Sequence, residues 1–368
     1  MIVFYMMRKK FFSNQIWQRL KKNKLALTGL VIIIFSFFLA IFGYLLAPDN
    51  SPFADLQTIE IQAKKPGYQQ MFLKIPVEKV EVSLFHILIY GERSSYRYLP
   101  IVSWNVQGND MNVNKYIDED TTVLQTYHIS TLTNAPGRVS DNIIIKKYWL
   151  GTDGFGRDIL SRLIIGVRVS LGVGLIAVII SIILGILLGA LAGYYRGWID
   201  EAIMWLVNVT WSIPTLLLVF AFTMALGKGF WQIFIAVGLT MWVSVARLVR
   251  GQVLAIKEQE YIQAAKALGF TNTRIIIHHV LPNILGPLMV IAAGNFATAI
   301  IVEAGLSFLG IGVQPPQPSW GLMIKENYNF IITQHPLLAL IPGIAIMILV
   351  LAINLLGNGL RDAMDVKD

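Results

Sequence analysis

Long apolar runs recur along this 368-residue chain, and they constrain its fold more than any other feature. A bilayer core about 30 Å thick requires about 20 predominantly apolar residues in a helix that crosses it. The runs of that order lie near residues 25–47, 165–193, 202–224, 230–249, 284–310 and 336–356. Because 55% of the residues are hydrophobic and only 14% are charged, a soluble globular domain is excluded. The sequence predicts an all-α polytopic membrane protein with six transmembrane helices.

Residues 1–24 precede the first apolar run and carry seven Lys or Arg residues and no Asp or Glu. Such a charge pattern is typical of the cytoplasmic end of a transmembrane helix, and it suits anionic lipid headgroups. The net charge of +8 therefore indicates a membrane surface as the partner and not a nucleic acid. A cleaved secretory signal is the competing interpretation of residues 25–47. That run is too long, and no small-residue cleavage motif follows it, so an uncleaved anchor is favoured.

A polar insert at residues 48–147 separates the first two apolar runs. It keeps many aromatic and aliphatic residues, which indicates a folded domain and not a disordered linker. Two stretches, Val77–Tyr90 and Tyr96–Val106, are rich in β-branched and aromatic residues and are predicted as strands. Because one span precedes it and the amino terminus is predicted to be cytoplasmic, we expect an extracytoplasmic, β-rich domain. The absence of cysteine excludes disulfides from it.

A polar island, EYIQAAKALGFTNTRIIIHHVLPN, occupies residues 260–283 between the fourth and fifth runs. Gly269 is a helix stop, because glycine adopts a left-handed C-terminal cap without strain. Thr271 or the next residue then begins a second short helix, which Pro282 is expected to close. Ala264 and Ala265 are small enough for another surface to approach closely. The pattern predicts a cytoplasmic helix–turn–helix, and an ordinary connector between two membrane helices is the alternative.

Four motifs resemble those of one transporter family. The order Gln-Ala-Ala, three residues, Gly, nine residues, and then x-x-Leu-Pro resembles the coupling loop of ABC importer permease subunits. LGTDGFGRD at 150–158, EAGLSFLGIGVQPPQPSWG at 303–321 and NLLGNGLRDAMD at 354–365 resemble motifs of the dipeptide, oligopeptide and nickel permease family, and its oligopeptide permease C subunits most. The chain departs from the family at Gln263 and Asn358, which replace acidic residues. At His279 it departs from the general permease pattern, which has isoleucine, but histidine is usual there in the peptide branch.

This resemblance implies a type I ABC importer permease fold at residues 148–368, with a cytoplasmic coupling loop at 250–283. It implies three kinds of partner: a second permease, two cytosolic ATPases that bind ATP and magnesium, and an extracytoplasmic peptide-binding protein. The basic residues 1–24 add membrane lipid as a fourth. The resemblance also implies the plasma membrane of a bacterium, and six spans place both termini in the cytoplasm. The residues that carry the coupling role are Glu260, Tyr261, Gln263, Ala264, Ala265, Gly269, His279, Pro282 and Asn283.

The glycine-rich stretch at 150–171 is predicted to form a tight turn followed by an amphipathic helix at the outer interface. Arg162 and Arg168 are expected either to extend to lipid headgroups or to pair with Asp153 and Asp158. A phosphate-binding loop is disfavoured because the Lys-Ser/Thr of that motif is missing. The residues assigned to this outer interface motif are Asp153, Gly156, Arg157, Asp158, Arg162 and Arg168.

Polar residues within the third and fifth runs are candidates for the lining of a passage, because polar groups at membrane depth need partners that lipid does not provide. They are Asn208, Trp211, Ser212, Pro214, Asn295 and Glu303. Glu303 lies about 30 Å along its helix at 1.5 Å per residue and is expected to require a cation or water. A proline kink stabilised by neighbouring hydroxyl groups is the alternative for the third run.

No catalytic triad or P-loop is present in the sequence, and the adjacent His278 and His279 point to different helix faces, which disfavours a zinc site. We therefore expect no enzyme activity, metal or cofactor in this chain. The favoured function is import of oligopeptides through half of an ATP-driven pore. Import of dipeptides, nickel chelates or other small solutes is the alternative within the family. A self-contained secondary transporter and a membrane scaffold are the alternatives outside it.

Overall fold

A computed structural model describes residues 14–78, 82–132, 139–227, 229–332 and 335–364. The chain divides into two compact units. The helical unit consists of Met1–Ser36, Ser170–Gln314 and Ala345–Asp368, and the mixed unit consists of Phe37–Val169 and Pro315–Ile344.

The helices are α1 Asn14–Lys22, α2 Lys24–Leu46, α3 Leu84–Tyr90, α4 Ile129–Leu132, α5 Ile159–Tyr195, α6 Gly197–Ser212, α7 Thr215–Leu226, α8 Phe230–Lys257, α9 Glu260–Ala267, α10 Asn272–Ile275, α11 Leu281–Phe308, α12 Trp320–Asn327 and α13 Leu337–Met364. The strands are β1 Tyr68–Pro76, β2 Tyr96–Gln107, β3 Asp110–Tyr116, β4 Thr122–His128 and β5 Ile143–Tyr148.

Within the described ranges, five helical segments are long and apolar enough to cross a membrane: α2, α5, α8, the run Asn272–Phe308, and α13. The predicted third span, near residues 202–224, is not one straight helix. It consists of α6 and α7, which meet at an angle of 99°. The break falls at Ile213 and Pro214, because proline donates no backbone hydrogen bond and forces the preceding residue into an extended conformation. The count is six if this bent pair is one span.

The predicted β-rich insert is confirmed as a five-stranded antiparallel sheet in the order β4-β3-β2-β1-β5. Each face of the sheet carries a buried cluster. Leu73, Leu99 and Met111 belong to one buried cluster, and Phe72 and Tyr148 belong to another. Because neighbouring side chains in a strand point to opposite faces, Phe72 and Leu73 place these clusters on the two sides of β1.

One of the two predicted strands of the insert is confirmed and the other is wrong. The stretch Tyr96–Val106 lies within β2, whereas the second half of Val77–Tyr90 forms the helix α3, and residues 79–81 lie outside the described ranges. Ser83 begins α3 by accepting a hydrogen bond on its Oγ from the backbone N–H of His86 at 3.3 Å. Gly91 ends it with a φ of 80°.

Small residues bring α5 and α8 into close backbone contact in the helical unit. Gly185, Gly189 and Gly193 lie on one face of α5, as the four-residue spacing predicts. A Cβ atom on Gly189 would collide with the carbonyl oxygen of Ala246, and one on Gly193 would lie 2.8 Å from that of Arg250. The four-residue spacing of these glycines in the sequence predicts a packing seam either against a partner or within the chain, and the structure shows it within the chain.

We expect Gly189→Ala to destabilise the protein, because overpacking of this kind costs about 1–3 kcal/mol. The matched control is Gly251→Ala in α8, where nothing lies within 4 Å of the added Cβ atom. Alanine favours a helix over glycine by about 1 kcal/mol, so the control should be neutral or stabilising. Thermal unfolding in detergent, followed by size-exclusion chromatography, measures both. Equal Tm values for the two variants would contradict the close contact.

Candidate functional site

The predicted helix stop of the polar island is confirmed. Helix α9 ends at Ala267, and Gly269 adopts the left-handed conformation with a φ of 79°. The N–H of Gly269 donates to the carbonyl of Lys266 at 2.9 Å, and that of Phe270 donates to Ala265 at 3.1 Å. These bonds satisfy carbonyl groups that the end of a helix leaves unpaired. The turn therefore has a defined geometry and is not a loose connector.

The prediction that Pro282 closes the second helix is wrong. After α10 the backbone forms a π-helical turn at Ile276–Val280, and the chain continues without a break into α11. The N–H of Leu281 donates to the carbonyl of Ile276, five residues earlier. Pro282 sits at the start of α11, where its missing N–H costs least, and the wide turn before it relieves the crowding that a proline ring causes in a regular helix.

The two faces of α9 have different surroundings. Ile262 is completely buried and Ala265 is 5% exposed, and both belong to the core of the helical unit together with residues of α5, α8 and α11. On the other face Ala264 is exposed, Tyr261 is 45% exposed and Leu268 is 75% exposed. The expectation that both alanines admit another surface is therefore wrong for Ala265, which is already covered by the chain itself.

Hydrogen bonds hold the helix pair to its neighbours. The hydroxyl of Tyr194, at the end of α5, donates to Asn272 Oδ1 at 2.7 Å, and Lys257 Nζ donates to the carbonyl of Tyr194 at 2.6 Å. Asn283 Nδ2 donates to the hydroxyl of Tyr261 at 3.0 Å, which joins α9 to α11. These contacts tie α9 and α10 to the ends of α5, α8 and α11.

The other residues assigned to the coupling loop lie at the rim of the same pair. Glu260 occupies the first turn of α9, where a carboxylate complements the helix dipole. Gln263 Nε2 donates to the carbonyl of Lys257 at 3.0 Å. His279 stacks on Phe270 with ring centroids 6.1 Å apart and an interplanar angle of 19°. All nine residues are therefore brought together, and their docking role stays a prediction.

Two of the predicted passage residues are buried inside the helical unit. Asn295 lies 3.4 Å from each of Ser181 Oγ, the Met241 carbonyl and Ser244 Oγ, so it bridges α5, α8 and α11. Glu303 has no exposed surface, and Oγ of Ser307, one turn further on, donates to its carboxylate at 2.6 Å. The sequence predicted a cation or water as the partner of Glu303 and missed this hydroxyl.

The other four candidates, Asn208, Trp211, Ser212 and Pro214, are exposed around the bend between α6 and α7. Arg247 of α8 binds two of them: its guanidinium lies 3.7 Å from the centroid of the Trp211 ring, and its Nη2 donates to Asn208 Oδ1 at 3.1 Å. Of the six candidates, Asn295 and Glu303 are thus buried and the other four are exposed. Their role in a passage stays a prediction.

A buried charge network occupies the outer interface motif of the mixed unit. Arg157 contacts Asp153 at 2.7 Å, Glu326 at 2.6 Å and Asp55 at 3.1 Å. Arg162 is completely buried and contacts Glu326 at 3.1 Å, with Asp55 and Asp153 each at 3.7 Å. Burial disfavours the charged form of Arg157, but its ion pairs with Asp153 and Glu326 outweigh that effect and raise its pKa.

This network shows whether the arginines extend to lipid headgroups or pair with carboxylates. Arg162 pairs with Asp153 and does not reach the lipid headgroups, because its side chain is enclosed. Asp158 instead caps the start of α5 by accepting hydrogen bonds from the N–H and hydroxyl of Ser161. Burial disfavours the ionised carboxylate more than these bonds favour it, so the pKa of Asp158 is raised. Sequence reasoning missed Asp55 and Glu326, which lie 102 and 169 residues from Arg157.

The two remaining residues of the motif have structural roles. Gly156 has a φ of 72°, and a Cβ atom there would collide with the carbonyl of Thr58, so only glycine fits. Arg168 donates to the carbonyls of Ile41, Leu88 and Ile89 and pairs with neither Asp153 nor Asp158.

Comparisons with known proteins agree with this arrangement. A family described as "Binding-protein-dependent transport system inner membrane component" matches residues 185–367, and one described as "N-terminal TM domain of oligopeptide transport permease C" matches residues 12–64. The dipeptide transport system permease protein DppC of Alkalihalophilus pseudofirmus is 45% identical over 60% of this chain and 72% of its own length. The glutathione transport system permease protein GsiD of Escherichia coli O6:K15:H31 is 43% identical over 60% and 73%.

A solved structure of the MetNI methionine ABC transporter, in an inward-facing conformation, matches 56% of this chain and 96% of its own with 21% identity and a TM-score of 0.46.

The membrane-spanning helices, the family models and the permease relatives together define a polytopic membrane permease. The chain belongs to the family of binding-protein-dependent transport system inner membrane components, and its peptide permease relatives confirm the resemblance found in its motifs. It is thus a permease subunit of an ABC importer and is not itself an enzyme.

The charge network generates a test of its own. It contains three carboxylates and two guanidinium groups, so loss of one carboxylate balances the charges and loss of one guanidinium leaves two carboxylates in excess. We expect Arg157→Met to lower the Tm strongly, because removal of one partner from a buried pair costs about 3–5 kcal/mol. Glu326→Gln should lower it much less. Thermal unfolding of both variants in the same detergent measures this order, and the reverse order would contradict the charge balance.

Proposed function

We propose that this chain forms half of the pore of an oligopeptide importer and that the exposed face of α9 docks against a cytosolic ATPase. The observation that carries the proposal is the division of α9 into a buried face and an exposed one. Tyr261, Ala264 and Leu268 present an apolar strip that the described part of the chain leaves exposed, and it lies within the segment that resembles the family's coupling loop.

Movement of the docked α9 would be transmitted along one continuous path. From Asn272 to Phe308 the chain is helical throughout, a length of about 55 Å at 1.5 Å per residue. This helical run carries Asn295 and Glu303, and its first turns pack on the buried face of α9. For this to be coupling, ATP and a docked binding protein must favour one of two discrete states of the pore.

The proposed topology follows from the crossings. If α6 and α7 together make one crossing, four crossings separate α1 from α9, and both lie on the same side of the membrane. The basic residues Arg19, Lys21 and Lys22 of α1 favour the cytoplasm for that side. The sheet then lies outside, and the carboxyl terminus lies in the cytoplasm of a bacterial cell.

The proposed partners are a second homologous permease, two cytosolic ATPases, an extracytoplasmic peptide-binding protein and membrane lipid. ATP and magnesium belong to the ATPases, and this chain binds no cofactor. The names of the dipeptide and glutathione relatives support a peptide as the substrate. Oligopeptides are proposed because the oligopeptide permease C model matches the amino-terminal segment. Dipeptides, nickel chelates and other small solutes are the competing substrates, and uptake of labelled peptides of different lengths by the assembled system distinguishes them.

Two neighbouring alanines provide the test of docking. Ala264→Asp places a charge on the exposed face, so we expect normal membrane insertion, no co-purification of the ATPase and no peptide uptake. Ala265→Asp places the same charge in the core of the helical unit, so we expect it to reduce the yield of folded protein, since an unpaired buried charge is costly. Normal uptake with Ala264→Asp would contradict the docking of this face. Ion-coupled transport by the isolated chain would contradict the importer as a whole.

The insert supplies a second test, directed at the binding protein. We propose that the sheet contacts the binding protein or guides the peptide between the two. Removal of residues 55–140 would also remove Asp55 from the charge network, so a surface substitution is sharper. Leu124 of β4 is 65% exposed, and Leu124→Asp should reduce the stimulation of ATP hydrolysis by the binding protein while the ATPases still co-purify.

The matched control is Leu268→Asp, because this exposed leucine lies on α9. It should abolish co-purification of the ATPases. If Leu124→Asp leaves the stimulation unchanged, the sheet is a stabilising cover and does not contact the binding protein.

A further inference from the structure

Helix α3, within the insert, exposes an unusual amount of apolar surface. Its seven residues, LFHILIY, include no charged side chain and none that is buried. Leu84 and Phe85 are 70% and 73% exposed, and Ile89 and Tyr90 are also exposed. A water-facing helix normally turns its apolar side chains to a core. A short helix that does the opposite requires apolar surroundings, and the residues that the structure describes do not supply them.

Arg168 fixes α3 to two membrane-spanning helices. From its position on α5, its guanidinium donates to the carbonyl of Leu88 at 2.6 Å and to that of Ile89 at 3.0 Å. It also donates to the carbonyl of Ile41 on α2 at 3.0 Å, and it lies 4.6 Å from the ring centroid of Tyr44. One side chain therefore holds the carboxyl-terminal end of α3 against α2 at the level of Ile41.

The level of Ile41 places this end of α3 inside the membrane. Helix α2 has 23 residues, a length of about 35 Å at 1.5 Å per residue. A hydrocarbon core of about 30 Å leaves only a few ångströms of α2 beyond each boundary. Ile41 lies five residues before Leu46, about 8 Å from the end of the helix. The contact with Arg168 is therefore about 5 Å below the hydrocarbon boundary.

The carbonyl groups at the end of α3 have hydrogen-bond donors within the protein, as this depth in the membrane requires. The last carbonyl groups of a helix have no partner within it, and in water the solvent supplies one. In hydrocarbon the protein must supply it instead. Arg168 binds the carbonyls of Leu88 and Ile89, and the N–H of Gly91 donates to that of Ile87 at 3.0 Å. An arginine used in this way would be unnecessary on a helix end that faces water.

We infer that α3 is an interfacial helix whose exposed apolar side chains are embedded in the acyl chains of the leaflet at the Leu46 end of α2. On α2, to which Arg168 links α3, the side chains of Phe38, Ile41 and Leu45 are likewise exposed, on a helix that spans the membrane. The insert is then held to the bilayer by a side anchor in addition to the two transmembrane helices that flank it. Neither the family matches nor the proposed docking of α9 implies this anchor.

A cavity of about 380 Å³ lies beside α3, and its lining suits a lipid molecule. It is lined mainly by apolar and aromatic groups, including Phe53, Val82 and Tyr90, and Arg93 contributes a cationic side chain. A phospholipid combines an acyl chain with a negatively charged phosphate, so both parts of the cavity have a matching group.

The sequence contains no cysteine, so a single introduced cysteine gives one labelled position. We would attach a nitroxide spin label to Phe85→Cys in the full chain, reconstituted in vesicles of phosphatidylcholine and phosphatidylglycerol. Collisions with oxygen, which concentrates in lipid, and with a water-soluble nickel chelate report the surroundings of the label. We expect high accessibility to oxygen and loss of accessibility to nickel, as at the control Phe38→Cys on α2. Gln125→Cys on β4 should give the opposite pattern.

Accessibility to nickel at Phe85→Cys equal to that at Gln125→Cys would overturn the inference. Low accessibility to both reagents would also overturn it, because protein and not lipid would then cover α3. Leu84→Cys provides an independent position if Phe85→Cys does not fold. In the Phe85→Cys background, Arg168→Lys keeps the charge but replaces the two spaced guanidinium nitrogens that reach the three carbonyls with a single ammonium nitrogen, so we expect the label to regain accessibility to nickel. Unchanged accessibility of the label to nickel in this variant would contradict the role of Arg168 in holding α3 against α2.

Discussion

Every polar group that enters the hydrocarbon must find its partner within the protein, and the local structure of this chain follows from that requirement. Oγ of Ser307 donates to the buried carboxylate of Glu303, and the N–H of Val313 in turn donates to that oxygen at 3.0 Å. Nη1 of Arg168 donates to the backbone carbonyl of Ile89, and Nη2 donates to those of Ile41 and Leu88. In each case a side chain replaces a water molecule. These positions are accordingly polar in otherwise apolar sequence, which is why they attract attention as functional sites.

The helix pair combines a fixed surface with a free one. Ile262 and Ala265 join α9 to a core that includes residues from three long helices, so α9 cannot shift without moving that core. Ala264 and Leu268 on the opposite face are exposed. A small helix with this arrangement is suited to receive force, because a load on its free side passes directly into packed side chains and not into a flexible loop.

The sequence predicted the features that depend on local pattern. Apolar length predicted the spanning helices, Gly269 predicted the turn, and the four-residue spacing of glycines predicted the seam on α5. Features that depend on distant residues were not accessible. Nothing near Arg157 indicates Glu326, and only the fold shows that Ala265 faces inward while Ala264 faces outward. The strand predicted at Val77–Tyr90 failed for a related reason. An apolar, β-branched stretch satisfies the rule for a buried strand, but Ser83 and Gly91 cap a helix there, and lipid supplies the apolar surroundings that we infer.

The π-helical turn at Ile276–Val280 joins α10 to α11 and sets the direction in which the residues before it face relative to α11. Each residue of a regular helix turns the chain by about 100°. A π-helical turn contains one extra residue, so it changes the direction in which the preceding helices face. Loss of that residue would rotate α9 by about 100° relative to α11 and would turn Ile262 and Ala265 out of the core in which they are buried. The widened turn is therefore what allows α9 to share a core with α5, α8 and α11 while it remains continuous with the membrane helix that follows it.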